Sequence, residues 1–137
     1  MQKSLTTVNL TFMNTIGYFE IQSSDPERDV TFYQTVFGWK FTRMPQVPIE
    51  YYSIETNSIT GGLLKRPANI PPAGSGTNAF VCSIQVEDFD TTSALILAQG
   101  GIVAMAKFAI PGKCWQGYFL DLDGNTLGLF EANENAQ

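Results

Sequence analysis

The chain has 137 residues, of which 44% are hydrophobic and only 15% charged; this fits one folded domain, or two small halves sharing a core, and excludes a disordered acidic chain. No apolar run approaches the roughly 20 residues of a membrane helix, and eight basic against thirteen acidic residues, net −5, argue against a nucleic-acid partner. There is no histidine, which removes imidazole metal ligands, Ser-His and Cys-His nucleophile pairs and the usual general base near neutral pH.

The first residues, MQKSLTTVNLTF, lack the basic start, continuous apolar stretch and cleavage site of a signal peptide, so a cytoplasmic protein is expected. Gly17 to Gln22 alternates apolar and polar residues and predicts a strand. Asp25-Pro26-Glu27 then opens a helix. Asp25 can cap free backbone N–H groups, Pro26 suits the first helical position, and Glu27 complements the positive end of the dipole. Val30, Tyr33, Val36 and Phe37 recur at helical spacing, and Gly38 supplies the left-handed stop. Trp39 to Arg43, Tyr51 to Thr56 and Ile59 to Leu64 predict three more strands.

Residues 66–77, rich in proline and glycine and without hydrophobic periodicity, read as a linker. The same order of events follows it. Ala79 to Glu87 alternates, Asp88 caps a helix over Phe89 to Gln99, and Gly100-Gly101 stops it. Strands are expected at Ile102 to Ala106, Trp115 to Asp121 and Thr126 to Glu131, with a tight turn at Asp123-Gly124-Asn125. The chain is therefore expected to be α+β, with two paired βαβββ modules at residues 14–65 and 78–133. Neither module is large enough to bury a core alone. Together their sheets would form one cupped surface with helices outside.

Several local patterns carry no chemistry of their own. Cys82 and Cys114 have no CxxC spacing and read as two thiols in a reducing compartment, with Cys82 in the core. Asp121, Asp123 and Asn125 imitate the start of a calcium loop but lack its remaining ligands, so a hairpin turn is expected. Gly61-Gly62 and Gly74-Ser75-Gly76 lack the lysine-serine and the strand-to-helix context of a phosphate loop.

The run YFEIQSSDPERDVTFYQTVFGWKF and the terminal run DLDGNTLGLFE resemble the vicinal oxygen chelate superfamily, the glyoxalase/bleomycin resistance/dioxygenase group, over about Asn14 to Asn133. The resemblance implies paired βαβββ modules that build a half-barrel whose concave face holds the ligand, dimers in many members, and residues 1–13 as an arm or tail outside the family's pattern. It also implies metal ligands on the first strand of each module and on the last strands. Aligning on the helix cap puts those positions at Tyr18, Val81 and Gly128, a phenol, an isopropyl group and no side chain. Divalent ions need several convergent O or N donors. No metal and no cofactor are therefore expected.

Strand alternation sorts the other candidates, because residues two apart share a face. Tyr18 brings Glu20 and Gln22 with it into the cup; Val81 brings Ser83 and Gln85. Thr126, Gly128 and Phe130 share a face of the last strand. Trp115 and Phe119 are expected as aromatic ligand contacts, with Gln116 and Tyr118 on the opposite face. On the strand from Tyr51 to Glu55 the alternation leaves two sets open, Tyr52 and Ile54 against Tyr51, Ser53 and Glu55. Glu55 is carried as a ligand candidate. The expected function is small-molecule binding by a glyoxalase-like protein without metal. The alternative is a metal-independent lyase or isomerase with Glu20 or Glu55 as base and Tyr18 as acid. A regulatory module is also open. A homodimer is expected, with neither a nucleic-acid nor a membrane partner.

Overall fold

A computed structural model describes residues 14–72 and 79–137. The expected arm at 1–13 and residues 73–77 of the expected linker lie outside the described residues.

Each half builds a mixed four-stranded sheet with one helix. The first module runs β1 (Phe19–Ser23), α1 (Pro26–Phe37), β2 (Lys40–Arg43), β3 (Tyr51–Glu55) and β4 (Gly61–Lys65), in sheet order β1-β4-β3-β2. The second runs β5 (Ser83–Gln85), α2 (Phe89–Ala98), β6 (Ile102–Ile110), β7 (Cys114–Leu120) and β8 (Thr126–Ala132), in order β5-β8-β7-β6. In both, the strand before the helix pairs in parallel with the last strand, and the other pairings are antiparallel. The two sheets are not closed into a barrel. Among the described residues, no helix is long and apolar enough to cross a membrane.

The helix signals act locally. The Asp25 carboxylate accepts from the Arg28 N–H, and that of Asp88 accepts from the Thr91 N–H. Gly38 ends α1 with φ +71°, a left-handed conformation that other residues rarely adopt. Helix α1 buries Phe32, Tyr33 and Val36 beneath its own sheet. Tyr33, Phe37 and Trp39 stack on one another, and Phe19 meets Trp39 edge-on. The aromatic run after Asp25 is thus a packing device. Its core is continuous with Phe89, Ile96, Phe119, Leu127 and Leu129 of the second module.

Polar side chains lock the modules together at the β7–β8 hairpin. The buried Asp123 carboxylate takes Arg66 at 2.7 Å, Arg28 at 2.8 Å and the Ser24 N–H at 2.9 Å. Asp121 accepts from the Tyr33 hydroxyl at 2.8 Å and from the Asn125 and Asp123 backbone N–H groups. Asn125 reaches the Gln22 carbonyl. The hairpin expected at this sequence is present, with Gly124 at φ +78°. Asp123 serves Arg28 of the first module and Arg66 just after it, and Asp121 serves the Tyr33 hydroxyl, roles that local reading did not find. Burial raises the Asp121 carboxyl above its usual range, against the hydrogen bonds from Asn125 and Tyr33. For Asp123 burial acts the same way, but hydrogen bonds from Ser24, Arg66 and Arg28 outweigh it and hold the group low. The hydrogen bond to Asp29 leads the factors that raise the Arg28 guanidinium, despite burial.

Three sequence expectations need correction. The first strand of the second module is only three residues long, against nine expected, with hydrogen bonds to β8 ending at Cys82 on one side and Val86 on the other. Cys82 is exposed there, not in the core. β6 runs on to Ile110, since Pro111-Gly112 turns it back onto β7.

Candidate functional site

The site is assembled on the sheet faces turned away from the helices. In β1, Phe19 and Ile21 pack into the core, so Tyr18, Glu20 and Gln22 lie on the opposite, open side. In β3, Tyr52 and Ile54 join the core, which settles the face left undecided: Tyr51, Ser53 and Glu55 look the same way as Glu20. Glu20 is opposite Gly62 in the ladder, and Tyr51 reaches across Gly62 from the far side. A Cβ on Gly62 would lie 2.0 Å from the Tyr51 hydroxyl oxygen, so the absent side chain is what lets the ring cross. The Tyr51 hydroxyl donates to Glu20 Oε2 at 2.8 Å and lies 2.7 Å from the Tyr18 hydroxyl. Burial, followed by the hydrogen bonds to Tyr18 and Glu20, pushes the Tyr51 phenol well above its ordinary value, so it keeps its proton.

The second module repeats this diagonal with other chemistry. Ser83 is opposite Gly128, and a Cβ there would lie 2.1 Å from Ser83 Oγ. Gln116 reaches over from β7 and its Nε2 donates to Ser83 Oγ at 3.2 Å. The pairs correspond: Glu20 to Ser83, Gly62 to Gly128, Tyr51 to Gln116. Phe108 and Tyr118 stack on this side, and Phe130 is opposite Gln85 and Gln116.

The sequence candidates therefore separate. Tyr18 and Glu20 come together, as do Ser83 and Gly128. Gln22 and Gln85 are exposed on the open side, and Val81 is exposed just before β5. Glu55 sits at the far end of β3, 3.8 Å from Lys40. A cleft of about 1760 Å³ separates β1 from β5 and is lined by Glu20, Gln22, Val81, Ser83 and Gln85 among others. Trp115 and Phe119 are the corrections. Phe119 is 2% exposed and packs on Phe89, while Trp115 lies against the core with Lys107 over its ring. Both belong to the helix side, because Gly117 between them closes on the Phe89 ring. β7 turns Gln116 and Tyr118 to the open side in their place. Gly62 was missed, Tyr51 was left open against Tyr52, and Gln116 was put on the opposite face. The internal repeat held the signal: two glycines occupy matching positions in the last strands, each opposite a polar residue of the first.

Among the described residues no three His, Cys, Asp or Glu side chains converge as an ion site would require. The profile of the Glyoxalase/Bleomycin resistance protein/Dioxygenase superfamily matches residues 15–129. The chain belongs to that superfamily. A glyoxylase-like domain-containing protein of Didymella fabae is 26% identical over 125 residues, covering 83% of this chain and 91% of the relative. A hypothetical protein of S. aureus is 23% identical with a TM-score of 0.66, covering 88% of this chain and 99% of that one. The fosfomycin resistance protein FosX of Listeria monocytogenes is 12% identical with a TM-score of 0.72, covering 89% and 94%. These solved structures share the glyoxalase fold of paired modules.

Proposed function

We propose that this superfamily member binds a small molecule on its open sheet face without help from a metal ion. The observation that carries the reading is the Tyr18–Tyr51–Glu20 chain, a pre-ordered set of polar groups on an accessible surface. The residues at the superfamily's ligand positions do not fit a divalent ion. Tyr18 offers one phenol, Val81 no donor, and the space above Gly128 is taken by Ser83. The open sides of the two modules instead offer hydrogen-bonding groups, in the second module beside the Phe108–Tyr118 stack.

The test is thermal unfolding of chelator-treated protein against aromatic, cationic and glutathione-derived compounds. A ligand selective for the folded state raises the melting temperature. At least one compound is expected to do so in EDTA, with the same shift after manganese, nickel or zinc is added, and with the shift lost in Tyr51→Phe. Stabilisation only in the presence of metal overturns the reading.

The reading includes a homodimer. β6 is a sheet edge whose Ile102, Val103, Met105, Phe108 and Ile110 are exposed, a surface that soluble proteins ordinarily cover. Light scattering behind size exclusion is expected to give twice the chain mass at micromolar concentration; the mass of a single chain contradicts it.

A further inference from the structure

We infer that the open face of the first module selects a ligand group that is cationic and rich in N–H donors, an ammonium or an amidinium. The inference rests on the binding role proposed above and follows from the direction of the hydrogen bonds there.

An ionised carboxylate can only accept. The Tyr51 proton is therefore committed to Glu20 Oε2, 2.8 Å away. A phenol has one proton, so the Tyr51 oxygen has only acceptor capacity left. The 2.7 Å contact with Tyr18 then requires Tyr18 to donate. That commits the Tyr18 proton too. The chain runs Tyr18 to Tyr51 to Glu20, and both ends are acceptors: lone pairs on the Tyr18 oxygen, and Glu20 Oε1, which has no hydrogen-bond partner among the described residues. Burial of Tyr51 favours its protonated form, so its proton stays in place.

A group that brings its own acceptors finds no proton here and meets the Glu20 charge. A group with several N–H donors and a positive charge satisfies both ends and neutralises the carboxylate. The exposed Tyr18 ring adds an electron-rich face of the kind cations favour. Among the described residues, Lys40 lies on this side at the far edge beside Glu55, and Arg66, which lines the cleft with Glu20, is already paired with Asp123. The second module has no such polarity. Gln116 donates to Ser83, which leaves the Ser83 proton and the Gln116 carbonyl oxygen, a neutral and mixed pair. The charge preference is thus a property of the first module.

The experiment compares three probes of one shape: benzamidine, benzamide and benzoate. Binding is followed by titration of backbone amide resonances in full-length protein at low salt. Benzamidine is expected to move the amides of Glu20 and Gly62 and to bind at least about tenfold tighter than benzamide, with benzoate weakest. Glu20→Gln should bring benzamidine down to the affinity of benzamide, and Tyr51→Phe should weaken it independently. Benzoate or benzamide binding at these amides as tightly as benzamidine overturns the charge preference but leaves the face as a binding site. Benzamidine that moves no amide of the first module's open face, or whose affinity survives Glu20→Gln, also overturns it. The binding role itself fails separately, if the compounds that stabilise the chelated protein move only amides elsewhere.

Discussion

The two modules share strand order, parallel closure and a diagonal contact over a glycine, yet they place different chemistry on it. In the first, Glu20 and Tyr51 meet above Gly62; in the second, Ser83 and Gln116 meet above Gly128. The backbone thus supplies the same position twice, and the side chains decide whether it is charged or neutral. Fold similarity therefore says little about what this face can hold.

The largest expected effect comes from breaking the relation between the modules. Asp123→Ala leaves Arg66, which is mostly buried, and Arg28 without their shared carboxylate. A loss of about 3–5 kcal/mol is expected, as for one partner removed from a buried ion pair. Urea unfolding measures it, and a loss below about 1 kcal/mol contradicts the lock.

Overfilling the two diagonals comes next. Gly62→Ala drives a Cβ into the Tyr51 ring, which cannot rotate away while its hydroxyl stays on Glu20. A cost of about 1–3 kcal/mol is expected. Gly128→Ala meets mainly the Ser83 hydroxyl, which can turn aside, so its cost should be the smaller. The reverse order in chemical denaturation would show that the diagonals are not built alike.

The hairpin also makes stability depend on pH. The folded-state pKa of Asp123 is depressed, so its contribution is complete above the unfolded value of about 4 and is lost as pH falls through the folded one. Asp121 is raised, so its effect has the opposite sign: its contribution is present at low pH and lost as pH rises through its folded value. In Asp123→Asn, stability measured from pH 5 down to pH 2 should fall less steeply than in the parent. An unchanged slope would remove Asp123 from the acid response. The smallest effect is expected for Glu20→Gln, within about 0.5 kcal/mol in stability because the side chain is exposed. Its consequence should be confined to binding.

What the sequence made legible was local. Asp25 and Asp88 each satisfy an N–H three residues on, Gly38 takes its left-handed turn, and Asp123-Gly124-Asn125 closes a hairpin. The open side of β1 followed from the resemblance, which put Tyr18 in the cup, and from alternation, which carried Glu20 and Gln22 with it and left the apolar Phe19 and Ile21 for the core. Alternation fails where both faces hold aromatics. On β3 it could not choose between Tyr51 and Tyr52, and on β7 Trp115 and Phe119 were placed in the cup although they face Phe89 and the core. The Arg28–Asp123–Arg66 lock lay beyond reach for another reason: its members are far apart in sequence, and only the docked modules bring them together.

The most direct measurement of the central claim is the affinity of benzamidine for metal-stripped protein, repeated with manganese and with zinc. The account predicts one unchanged affinity in all three solutions, abolished by Tyr51→Phe combined with Glu20→Gln. Binding that arises only when an ion is supplied, and that survives the double substitution, would contradict it.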